Sequence, residues 1–153
     1  VVPLAREVEY AKGYLTIQKM RYKDKLEFEI NVEPSILNIP LIKLVLQPII
    51  ENAIYHGLKY KESKGLLQVK GFMKDGNAVL QVIDNGVGMD EETLAHIYDK
   101  HKVNYHSNGV GVYNVQKRLK LYYGESYGIT YESEKGVGTT ATITIPGMQE
   151  ESI

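Results

Sequence analysis

The sequence predicts an α/β sandwich, more specifically a two-layer α+β domain whose mixed, mainly antiparallel sheet of about five strands carries helices on one face. Segments that alternate apolar and polar residues come largely in pairs joined by short turns, whereas a parallel sheet would alternate single strands with helices. Segments with helical spacing of apolar residues precede and separate these pairs. With 153 residues and 43% apolar content, the chain is long enough for one globular domain with a substantial core.

The chain opens with a predicted helix and a predicted strand. Residues 4–21 carry apolar side chains three or four positions apart, which is the spacing of one face of an amphipathic helix. That face contains Leu4, Val8, Ala11 and Leu15. Residues 25–32, "KLEFEINV", alternate apolar with charged or polar side chains and therefore predict a strand with one buried face.

A second helix is predicted from a long apolar run. Residues 34–40 contain two prolines and should form a connection. Residues 41–56 are largely apolar, which predicts a buried helix. We expect a kink or a restart near Pro48, because proline lacks a backbone donor. Gly57 is expected to end this helix.

The remaining segments predict two hairpins separated by helices. Residues 66–73 and 78–84 form the first hairpin around Asp75-Gly76, after a charged loop at 59–65. Residues 127–147 form the second.

Between the hairpins, residues 89–100 predict a short helix that Asp90 could cap. Residues 99–109 have few aliphatic side chains and predict a mobile loop. Residues 110–124 predict a helix that stops at Gly124.

The composition excludes several classes of function. The formal net charge of −1 argues against a general binder of nucleic acids or acidic surfaces. The absence of cysteine excludes disulfide scaffolds, thiolate metal sites and cysteine nucleophiles. The chain has no signal-peptide pattern and does not begin with Met, so we expect a fragment of a longer protein.

Polar residues on the second predicted helix form the first chemical cluster. Glu51, Asn52 and His56 fall within "ENAIYHG", and the four-residue spacing places Asn52 and His56 on one helical face. Each one alone could cap a neighbouring loop, but the three together suggest a site. Amide and carboxylate oxygens suit Mg²⁺, which takes its other ligands from water and phosphates.

Three pairs of glycines complete the pattern. In "DNGVGM", Asp84 ends a strand and could accept a hydrogen bond from a heterocyclic amine, while Gly86 and Gly88 would let a flat ring approach the backbone. Gly109 and Gly111 precede a helix, whose free amides favour phosphate. The third pair, Gly136 and Gly138, is followed by Thr139 at the start of a strand. Neither a dinucleotide-binding fingerprint nor a Walker loop is present.

In this order and spacing, the four clusters resemble the ATP-binding domain of sensor histidine kinases, in the GHKL ATPase superfamily with gyrase B, Hsp90 and MutL. "LQPIIENAIYHGL" is similar to the N box of that family, and "DNGVGM", "GVGVYNVQKRL" and "GVGTTATITIP" are similar to its three glycine boxes. The resemblance is greatest to the LytS/YesM-type kinases and covers nearly the whole chain. It implies the histidine kinase fold, with a lid over ATP formed by residues 89–109.

The resemblance also implies roles for the residues in these boxes. Asp84 would bind the adenine amine, with Gly86 and Gly88 admitting the purine ring and Gly138 and Thr139 supporting the pocket. Asn52 would be the Mg²⁺ ligand, Glu51 would polarise a water or the nucleophile, and His56 would lie near the phosphates. Gly109 and Gly111 would form the hinge of the lid and its phosphate contact.

The implied partners lie outside this sequence. The chain has no Pro-His-Phe acceptor motif, so the phosphate would go to a histidine in an upstream domain of the same, dimeric kinase and then to a response regulator. Residues 1–24 would follow that acceptor region, 25–148 would form the ATP-binding domain, and 149–153 would be a polar tail. We expect His96, His101 and His106 to be solvated loop residues. The domain would be cytoplasmic, without contacts to nucleic acid or membrane, and the whole protein membrane-anchored.

Three alternatives stay open at this point. A superfamily ATPase or serine kinase could use Glu51 as a base, and the upstream sequence would distinguish it. A non-catalytic nucleotide-binding module would bind ATP without transferring phosphate. A structural domain whose glycines only form turns would have no nucleotide site.

Overall fold

The computed structural model describes residues 1–58, 63–97 and 109–147. Within these residues the chain forms four α-helices and seven strands. They are β1 Val2–Pro3, α1 Leu4–Tyr22, β2 Leu26–Val32, β3 Pro40–Leu41, α2 Leu46–Asn52, β4 Gly65–Lys74, β5 Asn77–Asp84, α3 Glu91–Ala95, α4 Gly109–Tyr123, β6 Gly128–Glu134 and β7 Gly138–Pro146. Helix α2 continues as a π-helical segment over Ala53–Leu58.

Five of the strands form one mixed sheet in the order β2-β4-β5-β7-β6. β2 runs parallel to β4, and every other neighbouring pair is antiparallel. The predicted mixed, mainly antiparallel sheet is therefore confirmed. The two-residue strands β1 and β3 pair separately, Val2 opposite Leu41. The sequence did not predict this pair, because two residues are too few to show an alternating pattern.

The two faces of the sheet differ in polarity. On one face Val82 lies between Val69 and Ala141 in the strand register, and all three are buried. On the other face Gln81 lies between Lys70 and Thr142. The apolar face shares one hydrophobic core with α1, α2 and α4, which supply Leu4, Ala11, Leu15, Leu46, Ile49, Ile50, Val112, Val115 and Leu119. These helices therefore cover a single face, as the sequence predicted.

The predicted helix at 41–56 is wrong at both ends. Leu41 belongs to β3, and the helix begins only at Leu46. Pro48 lies in its first turn, where amides have no acceptor within the helix, so the proline produces no restart. Gly57 does not end the helix, since the π-helical segment continues through it to Leu58.

The predicted turns and caps agree with the structure where it describes them. Asp75 and Gly76 both have positive φ, 52° and 80°, as expected for a tight turn between paired strands. Asp90 caps α3, because its Oδ1 accepts the Thr93 N–H at 2.8 Å. The mobile loop predicted at 99–109 and the polar tail at 149–153 lie outside the described residues, apart from Gly109 at the start of α4. No helix among the described residues is long and apolar enough to cross a bilayer.

Candidate functional site

A cleft opens between the end of α2 and the adjoining ends of β5, β6 and β7. Its polar side chains are Asn52, His56, Asp84 and Thr139. Its other walls are Ile49, Ala53, Gly57, Val82, Gly88, Met89, Tyr131 and Ala141. Counted out to its open mouth and including the solvent space there, the cleft has a volume of about 350 Å³. Three sequence segments that carry predicted site residues therefore meet in one place.

Asp84 is a buried hydrogen-bond acceptor at the end of β5. Only 4% of the residue is exposed, and its Oδ1 accepts the Gly86 N–H at 2.9 Å. Burial raises the pKa of Asp84 to about 6, although backbone hydrogen bonds from Gly86 and Thr139 act to lower it. A carboxyl group held in such surroundings is suited to a ligand that donates an N–H, because the new hydrogen bond would offset the cost of burying its charge.

Asn52 is the last residue of the regular turns of α2 and is 6% exposed. Its Oδ1 has no hydrogen-bond partner among the described residues. A buried amide oxygen without a partner costs roughly 1–3 kcal/mol, so such groups in native structures need an explanation. The position of Asn52 on the cleft wall supplies one, namely a ligand bound in the cleft.

The glycines of "DNGVGM" allow backbone segments to approach one another. A Cβ at Gly86 would lie 2.1 Å from the carbonyl oxygen of Gly57, which also accepts the Val87 N–H at 2.9 Å. Gly88 has φ +69°, and a Cβ there would lie 2.0 Å from the carbonyl oxygen of Glu134. Of the two glycines, Gly88 also lines the cleft. Their role in packing the loop between α2 and β6 was not foreseen from the sequence.

Gly86→Ala should reduce the free energy of unfolding by about 2–3 kcal/mol, because the new methyl group would force the Gly57 and Gly86 backbones apart. Gly13→Ala is the matched control. Gly13 lies on α1 with nothing within 4 Å of an added Cβ, so this change should stabilise the domain by up to about 1 kcal/mol. Urea unfolding of both variants tests the prediction, and equal stability of Gly86→Ala and the parent chain would contradict it.

Ser133 joins the cleft loop to the second hairpin and was missed in the sequence. Its Oγ accepts the Met89 N–H at 2.8 Å, donates to the Gly138 carbonyl at 3.0 Å, and lies 2.7 Å from Thr139 Oγ1. Thr139 itself is paired with Asp84 in the sheet. The alternation of β6 is the signal that could have identified Ser133, since it shares a face with Ile129 and Tyr131.

Two groups of predicted residues lie away from the cleft lining. Glu51 accepts a hydrogen bond from Gln47 Nε2 at 3.0 Å and faces α1, where burial and the nearby Glu51 carboxylate raise the pKa of Tyr14. α4 begins at Gly109, and a Cβ at Gly111 would be 3.5 Å from Pro48.

Pro48 directly precedes Ile49, which lines the cleft, so Gly111 lies beside the cleft wall. His96 is exposed after α3, as predicted for a loop residue. His101 and His106 lie outside the described residues.

Comparison with known proteins identifies the family. Residues 38–149 match the family described as histidine kinase-, DNA gyrase B-, and HSP90-like ATPases. This chain belongs to that family. The match spans the N box and all three glycine boxes, so the resemblance that the motifs suggested is confirmed.

Family members with named functions include sensor kinases. The chain is 31% identical over 150 residues to the sensor histidine kinase YesM of Bacillus subtilis, covering 98% of this chain and 25% of that protein. It is 35% identical over 127 residues to the sensor protein LytS of Oceanobacillus iheyensis, covering 82% of this chain and 22% of the relative. The chain therefore spans about a quarter of the length of these curated relatives.

A solved histidine kinase structure has the same fold. The histidine kinase domain of the Erythrobacter litoralis EL346 blue-light activated histidine kinase superimposes with a TM-score of 0.66 at 18% identity. The alignment covers 95% of this chain and 62% of that one. The predicted histidine kinase fold is therefore confirmed.

Proposed function

We propose that this chain is the ATP-binding catalytic domain of a sensor histidine kinase. In the whole protein it would transfer the γ-phosphate of ATP to a histidine of another domain. One observation carries the proposal: a buried acceptor, Asp84, and a buried amide oxygen, Asn52 Oδ1, line the same cleft. The chain belongs to a family of ATPases, for which these two groups suit the base and the metal.

Asp84 would select adenine. Adenine offers an exocyclic amine to the carboxylate, whereas guanine presents a carbonyl oxygen at the same ring position and would leave two acceptors facing each other. The apolar side chains of Ile49, Ala53 and Met89 would flank the ring, and Thr139 would support Asp84 from the adjacent strand.

The donor set fits Mg²⁺ with phosphates. Asn52 Oδ1 is a hard oxygen ligand with no other partner among the described residues, which suits a cation that takes one or two protein ligands and several waters. His56 lines the same cleft and would lie near the phosphates. The amides at Gly109 and Gly111, at the start of α4, would bind the phosphates. Bound ATP would supply the phosphoryl group, and Mg²⁺ would neutralise the negative charge that develops during transfer.

The nucleophile would come from outside this chain. Glu51 lies on the α1 side of α2, not on the cleft wall, which disfavours hydrolysis with Glu51 as base. Glu51 would take part in catalysis only if the acceptor imidazole approached from the α1 side of α2. The acceptor domain of the same dimeric kinase and a response regulator would be the partners, and the whole protein would be membrane-anchored with this domain in the cytoplasm.

Calorimetric titration with Mg²⁺-ADP, a non-hydrolysable ATP analogue and Mg²⁺-GTP tests the proposal. We expect adenine-selective binding, followed by phosphorylation of an added acceptor domain from the same kinase. Binding without transfer would favour the non-catalytic module, and release of free phosphate without an acceptor would favour an ATPase. Absence of adenine binding would contradict the proposal.

A further inference from the structure

Glu7 of α1 is a buried carboxylate with no part in the proposed chemistry. Only 3% of the residue is exposed, whereas its neighbour Glu9 lies on the solvent side of the same helix. Burying an ionised carboxylate is costly unless its oxygens are hydrogen-bonded. The partners of Glu7 therefore show what the residue does.

The Glu7 carboxylate binds the start of α2. Oε1 accepts the N–H groups of Val45 at 2.8 Å and Leu46 at 3.2 Å, and Oε2 accepts that of Leu44 at 3.2 Å. Helix α2 has no side-chain cap of its own. Glu7 thus supplies the missing cap from another helix, and its charge stabilises the positive end of the α2 dipole.

Residues 43–45 form the loop before α2, and α4 binds this loop on its other side. Arg118 donates to the carbonyl oxygens of Lys43 and Leu44, the latter at 3.1 Å. Leu44 has φ +61°, a conformation that costs a non-glycine residue free energy and persists only when its surroundings impose it. Helix α1 binds the amides of this loop and helix α4 binds its carbonyls. The position of the loop therefore depends on the positions of both helices.

From these contacts we infer that Glu7 is a positioning residue for Asn52, coupling the placement of α1 to the metal ligand of the proposed site. Asn52 lies six residues after Leu46, roughly 9 Å along one short helix, so a displacement of the helix start moves its side chain. The pairing of β1 with β3 fixes the beginning of α1 to the segment before α2 and reinforces the link. This inference rests on the proposed role of Asn52 in binding Mg²⁺.

Glu7→Gln, compared with Glu9→Gln, tests the coupling. The glutamine keeps the length of the side chain but loses its charge and one acceptor oxygen, so at least one of the three amides loses its partner. The readout is the ratio of the Kd of the ATP analogue without and with Mg²⁺. We expect this ratio to fall about tenfold in Glu7→Gln, a typical effect of a residue that orients a metal ligand, and to stay unchanged in Glu9→Gln. When Asn52 is already replaced by alanine, adding Glu7→Gln should not lower the Kd ratio further, because both changes act through the same side chain.

A second readout needs no nucleotide. The side-chain amide NMR signals of Asn52 should shift in Glu7→Gln, while those of the exposed Asn38 should not. If Glu7→Gln does not fold, Glu7→Asp, which keeps the charge but is one methylene shorter, is measured in the same way. Unchanged Asn52 signals together with a parental Mg²⁺ ratio would overturn the inference. If Mg²⁺ does not change the nucleotide affinity of the parent chain, the proposed function is contradicted. The Asn52 signals would still show whether Glu7 and Asn52 are coupled.

Discussion

Asp84→Asn should weaken the binding of adenine nucleotides roughly 100-fold, because a hydrogen bond to a charged acceptor contributes about 1.5–3 kcal/mol. The loss should be similar with and without Mg²⁺, since Asp84 is expected to contact the base. Calorimetry in both conditions measures it. If this variant still preferred ADP over GDP, a group other than Asp84 would be responsible for recognising adenine.

The same substitution should stabilise the nucleotide-free domain at high pH. Folding raises the pKa of Asp84 from 3.8 to about 6, so the protonated carboxyl favours the folded state. That contribution is fully present below pH 3.8 and is lost as the pH rises through 6. At pH 8 the ionised, buried Asp84 therefore lowers the free energy of unfolding by roughly 3 kcal/mol, and the asparagine variant does not carry this cost.

Urea unfolding between pH 4 and pH 8 should therefore show Asp84→Asn gaining stability over the parent chain as the pH rises. Asp90→Asn is the control, because Asp90 is exposed and hydrogen bonds from Thr93 lower its pKa. Asparagine also caps helices well, so this variant should show no gain at pH 8. A difference between Asp84→Asn and the parent chain that does not change with pH would contradict the assignment.

Asn52→Ala should abolish the part of ATP binding that depends on Mg²⁺ and reduce phosphotransfer by about 10- to 100-fold. Binding of ADP without metal should change little, which distinguishes this variant from Asp84→Asn. The stability of the nucleotide-free domain should not fall, because the lost amide oxygen has no hydrogen-bond partner among the described residues.

Asn38→Ala, at an exposed asparagine, serves as the control for Asn52→Ala. Titrations with the ATP analogue at increasing Mg²⁺ concentrations measure the effect. Equal losses in Asn52→Ala and Asp84→Asn, independent of metal, would show that the two roles have been assigned wrongly.

Features governed by neighbouring residues were predictable from the sequence. Alternation located the five sheet strands, the Asp75-Gly76 turn marked the first hairpin, and Asp90 was correctly predicted as a helix cap. The N box and glycine boxes were recognisable for the same reason, since each is a short pattern of adjacent residues. Patterns of adjacent residues were therefore enough to predict the fold class, the family and the four polar residues named in the cleft.

Features that depend on residues far apart in the chain could not be predicted from local patterns. Helix α2 begins at Leu46, where its amides meet Glu7, 39 residues earlier. Gly57 and Gly86 are required for two backbone segments to touch. The burial of Asn52 Oδ1 and the raised pKa of Asp84 likewise arise from packing between separate elements. Local patterns record which residues can form a helix, strand or turn, whereas desolvation and close approach exist only once the chain has brought distant segments together.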